Sequence, residues 1–415
     1  MLKIWMINQF ANTPDLPGHT RNYEVAKYLV KNGWRVDLFA SDFNLSQRKY
    51  CKLKKFELFK INKIDGIKWH WLRVSSYSIN NWKRYLNILS FSIHIFLFLI
   101  LKSILSLKRE QLPNIILASS PQLPAAYFCL IVSKILHIPL VLEIRDLWPQ
   151  ILIDLGDKSK ENILYRILYW MELLLYKESK IIVILSKGSK EHVVKKGGKL
   201  IKWLPNGPDL SKFKFSSLPN EELTFSFNRP FRLVYAGAHS QVNGLMYVLN
   251  AAKLLINHPI EITLIGDGPE KNNLVEQSKK LALNNVKFLK PHSKDNIPKI
   301  LSTFDAILLS LIDSDLFRYG ISPNKLYDAY ALGRPVITTV PGMINDEVES
   351  NKLGTTSRAC DSSSLSLAIK RLMNTSRRDR EMMGIRARSI AEKTYSRNRI
   401  NKEYDKLLRS LIPNE

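Results

Sequence analysis

Residues 322–337 read SPNKLYDAYALGRPVI. Ser322 suits the position before a helix, and Pro323 suits its first turn, where a missing N–H costs nothing. Gly333 stops that helix, and Pro335 opens the next strand. The spacing places Asn324 and Lys325 in the first turn, where unpaired backbone N–H groups and the positive end of the dipole face outward. A carboxylate is favoured there by roughly 0.3–1 kcal/mol, so a lysine is out of place unless an anion covers the turn. A phosphate or diphosphate resolves the conflict, because it accepts from the backbone donors and pairs with the ammonium. Asp328 stands one turn further on, on the same face, where a carboxylate can accept from sugar hydroxyls. The plainer alternative is a surface ion pair between Lys325 and Asp328.

Other residues invite the same double reading. Gly18 sits in the loop after the first strand, either as a turn glycine or where a phosphate meets the backbone. His19 beside it has no visible partner in the sequence. Arg145 and Asp146 end a strand, as a grip on a substrate or as a structural pair, and Trp148 reads as packing. Asn206 and Gly207 open a linker and read as a hinge turn. Gly266 and Gly268 let the backbone turn sharply after a strand. Neither a G-x-G-x-x-G string nor a P-loop string occurs, which argues against dinucleotide and ATPase chemistry. No cluster with metal-ligand spacing stands out.

The elements that must position these residues follow from length and pattern. A chain of 415 residues is long for one core, so two domains of roughly 200 residues are expected. Apolar runs such as LKIWMIN, RVDLFAS, IILASS, PLVLEIRD and KIIVILS alternate with helical stretches up to residue 185. FRLVYAGA, IEITLIGDG, NVKFLK, DAILLSL and PVITTV do the same from Phe231. That alternation predicts an α/β protein with two Rossmann-like domains facing a cleft. The expected divisions are 1–205, 206–389, and a helix over 390–415 that crosses back to the first domain.

Charge points to an anionic partner. The chain holds 62 Lys and Arg against 37 Asp and Glu, a net charge of +25, which suits a phosphorylated ligand, a membrane surface or nucleic acid. Three scattered cysteines form neither a metal pattern nor a disulfide framework, so a reducing compartment is expected. The N-terminal stretch reads as a strand rather than a signal peptide. Residues 86–107, LNILSFSIHIFLFLILKSILSL, approach the ~20 residues that span a bilayer, but Asn87, His94 and Lys102 interrupt them. Three readings stay open: a helix buried on a sheet, one lying in a membrane interface, and a span.

SPNKLYDAYALGRPVI resembles the P-S-K-x-x-E-x-x-A-x-G-x-P-V-I signature of the large retaining family of GT-B glycosyltransferases. LVYAGAHSQVNGLMYVLNAA resembles the start of that family's donor domain, and ITLIGDGPEKNNL its G-D-G-P turn. EIRDLWPQ, LPNGPDL and GHTRNYEVAKYLVKNG are similar to motifs of the subgroup that makes O-antigen and capsule sugars, the L-fucosamine-type transferases among them. The motifs fall in order along nearly the whole chain. The resemblance implies a nucleotide-sugar donor, most often UDP-linked, and no metal or other cofactor. Lys325 would contact the diphosphate and Asp328 the ribose, with Gly18, Asn324, Gly237, Gly266 and Gly268 around the donor. His19, Arg145 and Asp146 would face the acceptor.

Departures from the family pattern are visible. Its first Glu falls on Gly320 and its second on Asp328, which leaves Asp313, Asp315 and Arg318 as candidates for sugar contacts. Family Arg and Lys positions fall on Ala238 and Asn243, and a family histidine is replaced by the ASSP run.

Residues 48–73 hold nine Lys and Arg together with Trp69 and Trp71, and Tyr77 and the apolar 86–107 segment follow. Basic, aromatic and apolar elements together suit an anionic membrane surface. The expected partners are therefore a nucleotide sugar, a polyprenyl-diphosphate-linked glycan acceptor and the cytoplasmic face of the inner membrane, bound peripherally. A GT-B enzyme with a soluble acceptor or 2-epimerase activity is the alternative. Nucleic acid is the weakest reading, since no recognition motif accompanies the charge.

Overall fold

The computed structural model describes the chain except residues 17, 19, 79–81, 107–110, 121, 155–160, 220–228 and 413–415. It divides into two compact units, Met1–Pro205 with Ile400–Glu415, and Asn206–Arg399.

The first unit contains β1 (Lys3–Ile7), β2 (Arg35–Ser41), β3 (Phe43–Asn44), β4 (Lys49–Tyr50), β5 (Phe59–Ile64), β6 (Ile67–Leu72), β7 (Ile115–Ser119), β8 (Leu140–Ile144), β9 (Ile181–Ile184) and β10 (Ile201–Trp203). Its main sheet has the order β10-β9-β8-β7-β1-β2-β6-β5, parallel except where β5 pairs with β6. Helices α1 (Arg21–Lys31), α2 (Trp82–Ile104), α3 (Leu123–Leu136), α4 (Gln150–Asp154), α5 (Ile163–Glu178) and α6 (Ser189–Lys195) accompany it. The strand direction reverses its progress between β1 and β7, and the open ends there are the crevice such sheets offer to ligands.

The second unit carries β11 (Phe231–Ala236), β12 (Ile260–Ile265), β13 (Val286–Leu289), β14 (Ala306–Leu309), β15 (Val336–Thr338) and β16 (Gly354–Thr356), all parallel, in the order β13-β12-β11-β14-β15-β16. This is the doubly wound dinucleotide-fold order, and its switch point falls between β11 and β14. Its helices are α7 (Leu245–Leu254), α8 (Lys271–Lys280), α9 (Ile297–Leu301), α10 (Asp315–Arg318), α11 (Asn324–Leu332), α12 (Met343–Ser350), α13 (Ser362–Asn374) and α14 (Arg377–Ile390). The strands are near-continuous apolar runs because both faces of a parallel sheet are covered. Leu233, Tyr235, Ile262, Leu264 and Leu308 form the centre of its core.

Several expectations need correction. The last stretch is not one helix: α14 runs into a single π-helical turn over Ala391–Tyr395, and α15 (Arg397–Arg409) follows. The return to the first unit begins at Ile400. There Ile400, Tyr404 and Leu408 enter the core beside Leu29, Trp34 and Val36. Within the basic run, β5 and β6 form a hairpin around Asp65–Gly66, whose φ angles of 49° and 79° suit an Asp-Gly turn. Trp69, Trp71 and Tyr77 do not face a membrane; all three are buried, and the two indoles stack at 4.6 Å.

Of the polar residues that interrupt α2, Asn87 and Lys102 point into the unit, while His94 is exposed. Asn87 is fully buried and accepts from Gln9 Nε2 at 2.7 Å. The His94 ring nitrogen lies 2.7 Å from the Arg73 carbonyl oxygen. Lys102 reaches Asp37, 3.6 Å away, which also pairs with buried His70 at 2.5 Å. Those contacts anchor the helix on the sheet, and a membrane span would have to break all of them.

Candidate functional site

The second unit gathers a group of residues where β11, β12 and β14 end. β11 closes on Tyr235, which is fully buried, and Gly237, with φ 157°. Gly237 N donates to Ile265 O at 2.8 Å, which carries the β11–β12 ladder one residue further. A methyl group on Gly266 would lie 1.9 Å from the Gly237 carbonyl oxygen, and one on Gly268 would lie 2.4 Å from that of His239. Two loops therefore touch backbone to backbone, which only glycine permits.

Lys325 lies against this platform. Its Nζ donates to the Tyr235 hydroxyl at 2.9 Å and stands 4.2 Å from the ring centroid. The hydroxyl's own proton goes to the Ala238 carbonyl oxygen at 2.8 Å, so a lone pair faces the ammonium. A methyl group on Gly237 would fall 2.0 Å from Nζ. Burial pulls the Lys325 ammonium down to about 8.

The first turn of α11 differs in detail from the sequence expectation. Pro323 is the residue before the helix, with φ −81° and ψ 117°, and no side chain caps it. The Ser322 hydroxyl is engaged elsewhere, accepting from Asn206 N at 2.8 Å, while Asn206 Nδ2 donates to Ser322 O at 2.7 Å. Asn206 thus braces the start of α11 instead of serving only as a turn. Asn324 is exposed at the helix start, and Gly333 ends the helix in the left-handed region at φ 69°.

Asp328 is half-buried one turn beyond. It forms no ion pair with Lys325, whose ammonium turns to Tyr235; the surface-pair reading fails. Burial raises the Asp328 carboxyl to about 7, against the opposing pull of Arg397. The group therefore joins a cation that burial makes easy to deprotonate with a carboxyl that burial makes slow to ionise. An anion over Lys325 would reverse the first effect, and hydroxyl donors to Asp328 would reverse the second.

Gly18 lies in the first unit, exposed, at φ 119°, where a methyl group would meet Asn12 Nδ2 at 2.6 Å. His19 lies outside the described residues. Arg145 N donates to Ser120 Oγ at 3.2 Å; Asp146 is exposed, its carbonyl 3.4 Å from the same hydroxyl. The Arg145 side chain interacts with the charge of Glu143 as well as with that of Asp146, and Glu143 is a residue sequence reading missed. Glu143 is buried and pairs with Arg21 at 2.9 Å; it also accepts from Tyr404 Oη at 2.8 Å and Ser119 Oγ at 3.1 Å. Arg21 and Arg145 hold its carboxyl below the usual range although burial pushes the other way. The signal was one acidic residue inside the apolar run PLVLEI. Asp313 is exposed in the loop after β14, with its N–H 3.2 Å from Cys360 Sγ. Asp315 begins α10, and the side chain of Arg318 is outside the described residues.

Two doubly wound units in succession, with the second presenting a lysine at a helix start, define the GT-B class of fold. Within it, residues 221–390 match the model of the glycosyl transferases group 1 family. Sucrose-phosphate synthase from Thermosynechococcus elongatus superposes with a TM-score of 0.76 at 14% identity, over 99% of each chain. Anabaena HepE, solved in complex with UDP, gives 0.69 at 18% identity over 99% of this chain and 100% of its own. WaaG, a glycosyltransferase involved in lipopolysaccharide biosynthesis, gives 0.65 at 13% identity over 98% and 99%. No curated protein sequence matches this chain.

Proposed function

We propose that the protein is a retaining glycosyltransferase that moves a sugar from a nucleotide donor, UDP-linked, to a polyprenyl-diphosphate-linked glycan in envelope polysaccharide synthesis. The observation that carries the donor half is Lys325 at the uncapped start of α11, braced by Tyr235 and Gly237 without a carboxylate partner among the described residues. The family match over 221–390 and the UDP held by the HepE structure support the same reading.

In this reading the donor diphosphate lies over the first turn of α11. Backbone N–H groups and the Lys325 ammonium stabilise the negative charge that grows on the departing diphosphate. Asp328, ionised, accepts from the ribose hydroxyls. Positioning and charge stabilisation then carry the reaction: the acceptor hydroxyl attacks the anomeric carbon on the face the diphosphate leaves, the bond to the diphosphate breaks, and the hydroxyl proton passes to an oxygen of that diphosphate. The lipid-linked acceptor and the cytoplasmic membrane face are proposed from the basic surplus and the apolar surface of the first unit; the fold relationship to WaaG is consistent with them. A soluble acceptor is the second reading, suggested by the fold shared with sucrose-phosphate synthase; the exposed apolar face of α2 speaks against it.

Calorimetry with UDP tests the donor assignment. Wild type should bind, and Lys325→Ala should bind about a hundredfold more weakly, the loss of a charge-assisted contact of roughly 2–3 kcal/mol. Equal binding by both would remove Lys325 from the site. A folded wild type that ignores UDP would sink the UDP assignment.

A further inference from the structure

The inward face of α2 is fully accounted for, but its outward face is not. Leu86, Leu89, Ile93, Leu97, Leu101 and Ile104 recur at intervals of three and four, and each is 42–70% exposed. A helix of 23 residues is about 35 Å long, so this is an apolar stripe along its whole length. No acidic residue occurs in α2. Ring contacts from Phe96 to Phe128, from Phe128 to Tyr127 and from Tyr127 to Trp170 join α2 through α3 to α5. On α5, Ile163, Ile167 and Trp170 are exposed as well. On the other side, Phe59 of the edge strand β5 meets Phe98 of α2 at 6.1 Å, beside exposed Phe56 and Leu58. Soluble monomers seldom expose a continuous apolar face of this extent without a partner.

The charges at its border say which partner. Lys54, Lys55, Lys63 and Lys83 are exposed, and the one acid of the 54–63 stretch, Glu57, is occupied by the Lys54 backbone N–H at 2.7 Å. A two-fold partner would bring one positively charged border against another. An anionic lipid surface attracts them, while acyl chains take the stripe.

We propose that α2 lies in the plane of an anionic bilayer, its outer stripe and the exposed residues of α5 in the acyl boundary, with Lys54, Lys55, Lys63 and Lys83 among the headgroups. Although α2 is long and apolar enough to cross a membrane, its contacts to Gln9, Arg73 and Asp37 keep it on the sheet. The inference deepens the proposed function by naming where its lipid-linked acceptor is met, and rests on that reading for the acceptor alone.

Flotation of the full chain with vesicles tests it. Wild type should float with phosphatidylglycerol vesicles and at least tenfold less with phosphatidylcholine alone. Leu89→Gln/Ile93→Gln/Leu97→Gln should lose flotation at least tenfold while keeping its melting temperature and UDP affinity. Lys54→Glu/Lys55→Glu/Lys63→Glu should lose the preference for phosphatidylglycerol. Undiminished flotation of the glutamine variant would overturn the proposal. So would resistance of the bound wild type to alkaline carbonate, which marks a span. A wild-type dimer in sedimentation that the glutamine variant dissolves, with no vesicle binding, would assign the stripe to a second copy. Failure of UDP binding with intact flotation would strike the transferase reading alone.

Discussion

The Lys325 ammonium rests 2.9 Å from the Tyr235 hydroxyl, across 90 residues of chain, and that hydroxyl spends its proton on the Ala238 carbonyl. The tyrosine thus couples the start of α11 to the loop after β11. Tyr235→Phe keeps the ring beneath the cation but removes the acceptor. We expect UDP affinity to fall about fivefold, near 1 kcal/mol, by calorimetry. Unchanged affinity would show that Tyr235 does not position Lys325.

Two glycines a few ångströms apart should fail differently. In Gly237→Ala the new methyl group meets the mobile end of Lys325, which can swing away. UDP affinity should drop, and stability should fall by about 1 kcal/mol, the strain of an alanine at φ 157°. The methyl group of Gly266→Ala meets the Gly237 carbonyl, which cannot move without its strand. Overpacking of that kind costs about 1–3 kcal/mol or more, so the urea midpoint should fall. Equal stability losses in the two variants would contradict the geometry.

Lys325 titrates near 8 in the free site, below its ordinary 10.5, and a bound diphosphate should raise it again. Binding then takes up a proton once the pH exceeds about 8. UDP affinity should weaken about tenfold between about pH 7 and about pH 9 in wild type and stay flat in Lys325→Arg. Parallel pH profiles would exclude Lys325 as the titrating group.

Asp328 should trade stability for binding. Its carboxyl stands near 7 in the fold and 3.8 outside it. A raised acid pKa means the folded state holds a proton the unfolded state has lost, so this contribution is present below about pH 4. It fades as the pH rises toward about 7. Asp328→Asn removes that loss. The variant should gain up to about 4 kcal/mol over wild type at about pH 8 and almost nothing at about pH 4, while its UDP affinity falls. A variant less stable than wild type at about pH 8 would refute the assignment.

Much of this was legible in local sequence. Parallel strands buried on both faces announce themselves as apolar runs, and Gly333 marks the helix end. Positions that depend on distant chain were not legible. Nothing local to Lys325 indicates Tyr235, and nothing near Ser322 says that Asn206 takes its hydroxyl instead of the helix start. The aromatics within and after the basic run misled because burial, not residue type, decides whether an indole meets lipid or core. For Asp65–Gly66 a turn signal was present between two runs of strand-forming residues, but the surrounding lysines hid the alternation.

The chain leaves its first unit at Pro205 and restores it only from Ile400 onward, with Tyr404 and Leu408 wholly enclosed in that unit's core. During synthesis the second unit, contiguous over Asn206–Arg399, has all its strands available first. The half made earliest is therefore completed last, when α15 emerges and Tyr404 reaches Glu143. Until then its apolar interior lacks one wall. A nascent chain released as far as Arg399 would hold a finished second unit and an unsealed first one, the form most exposed to chaperones and proteases.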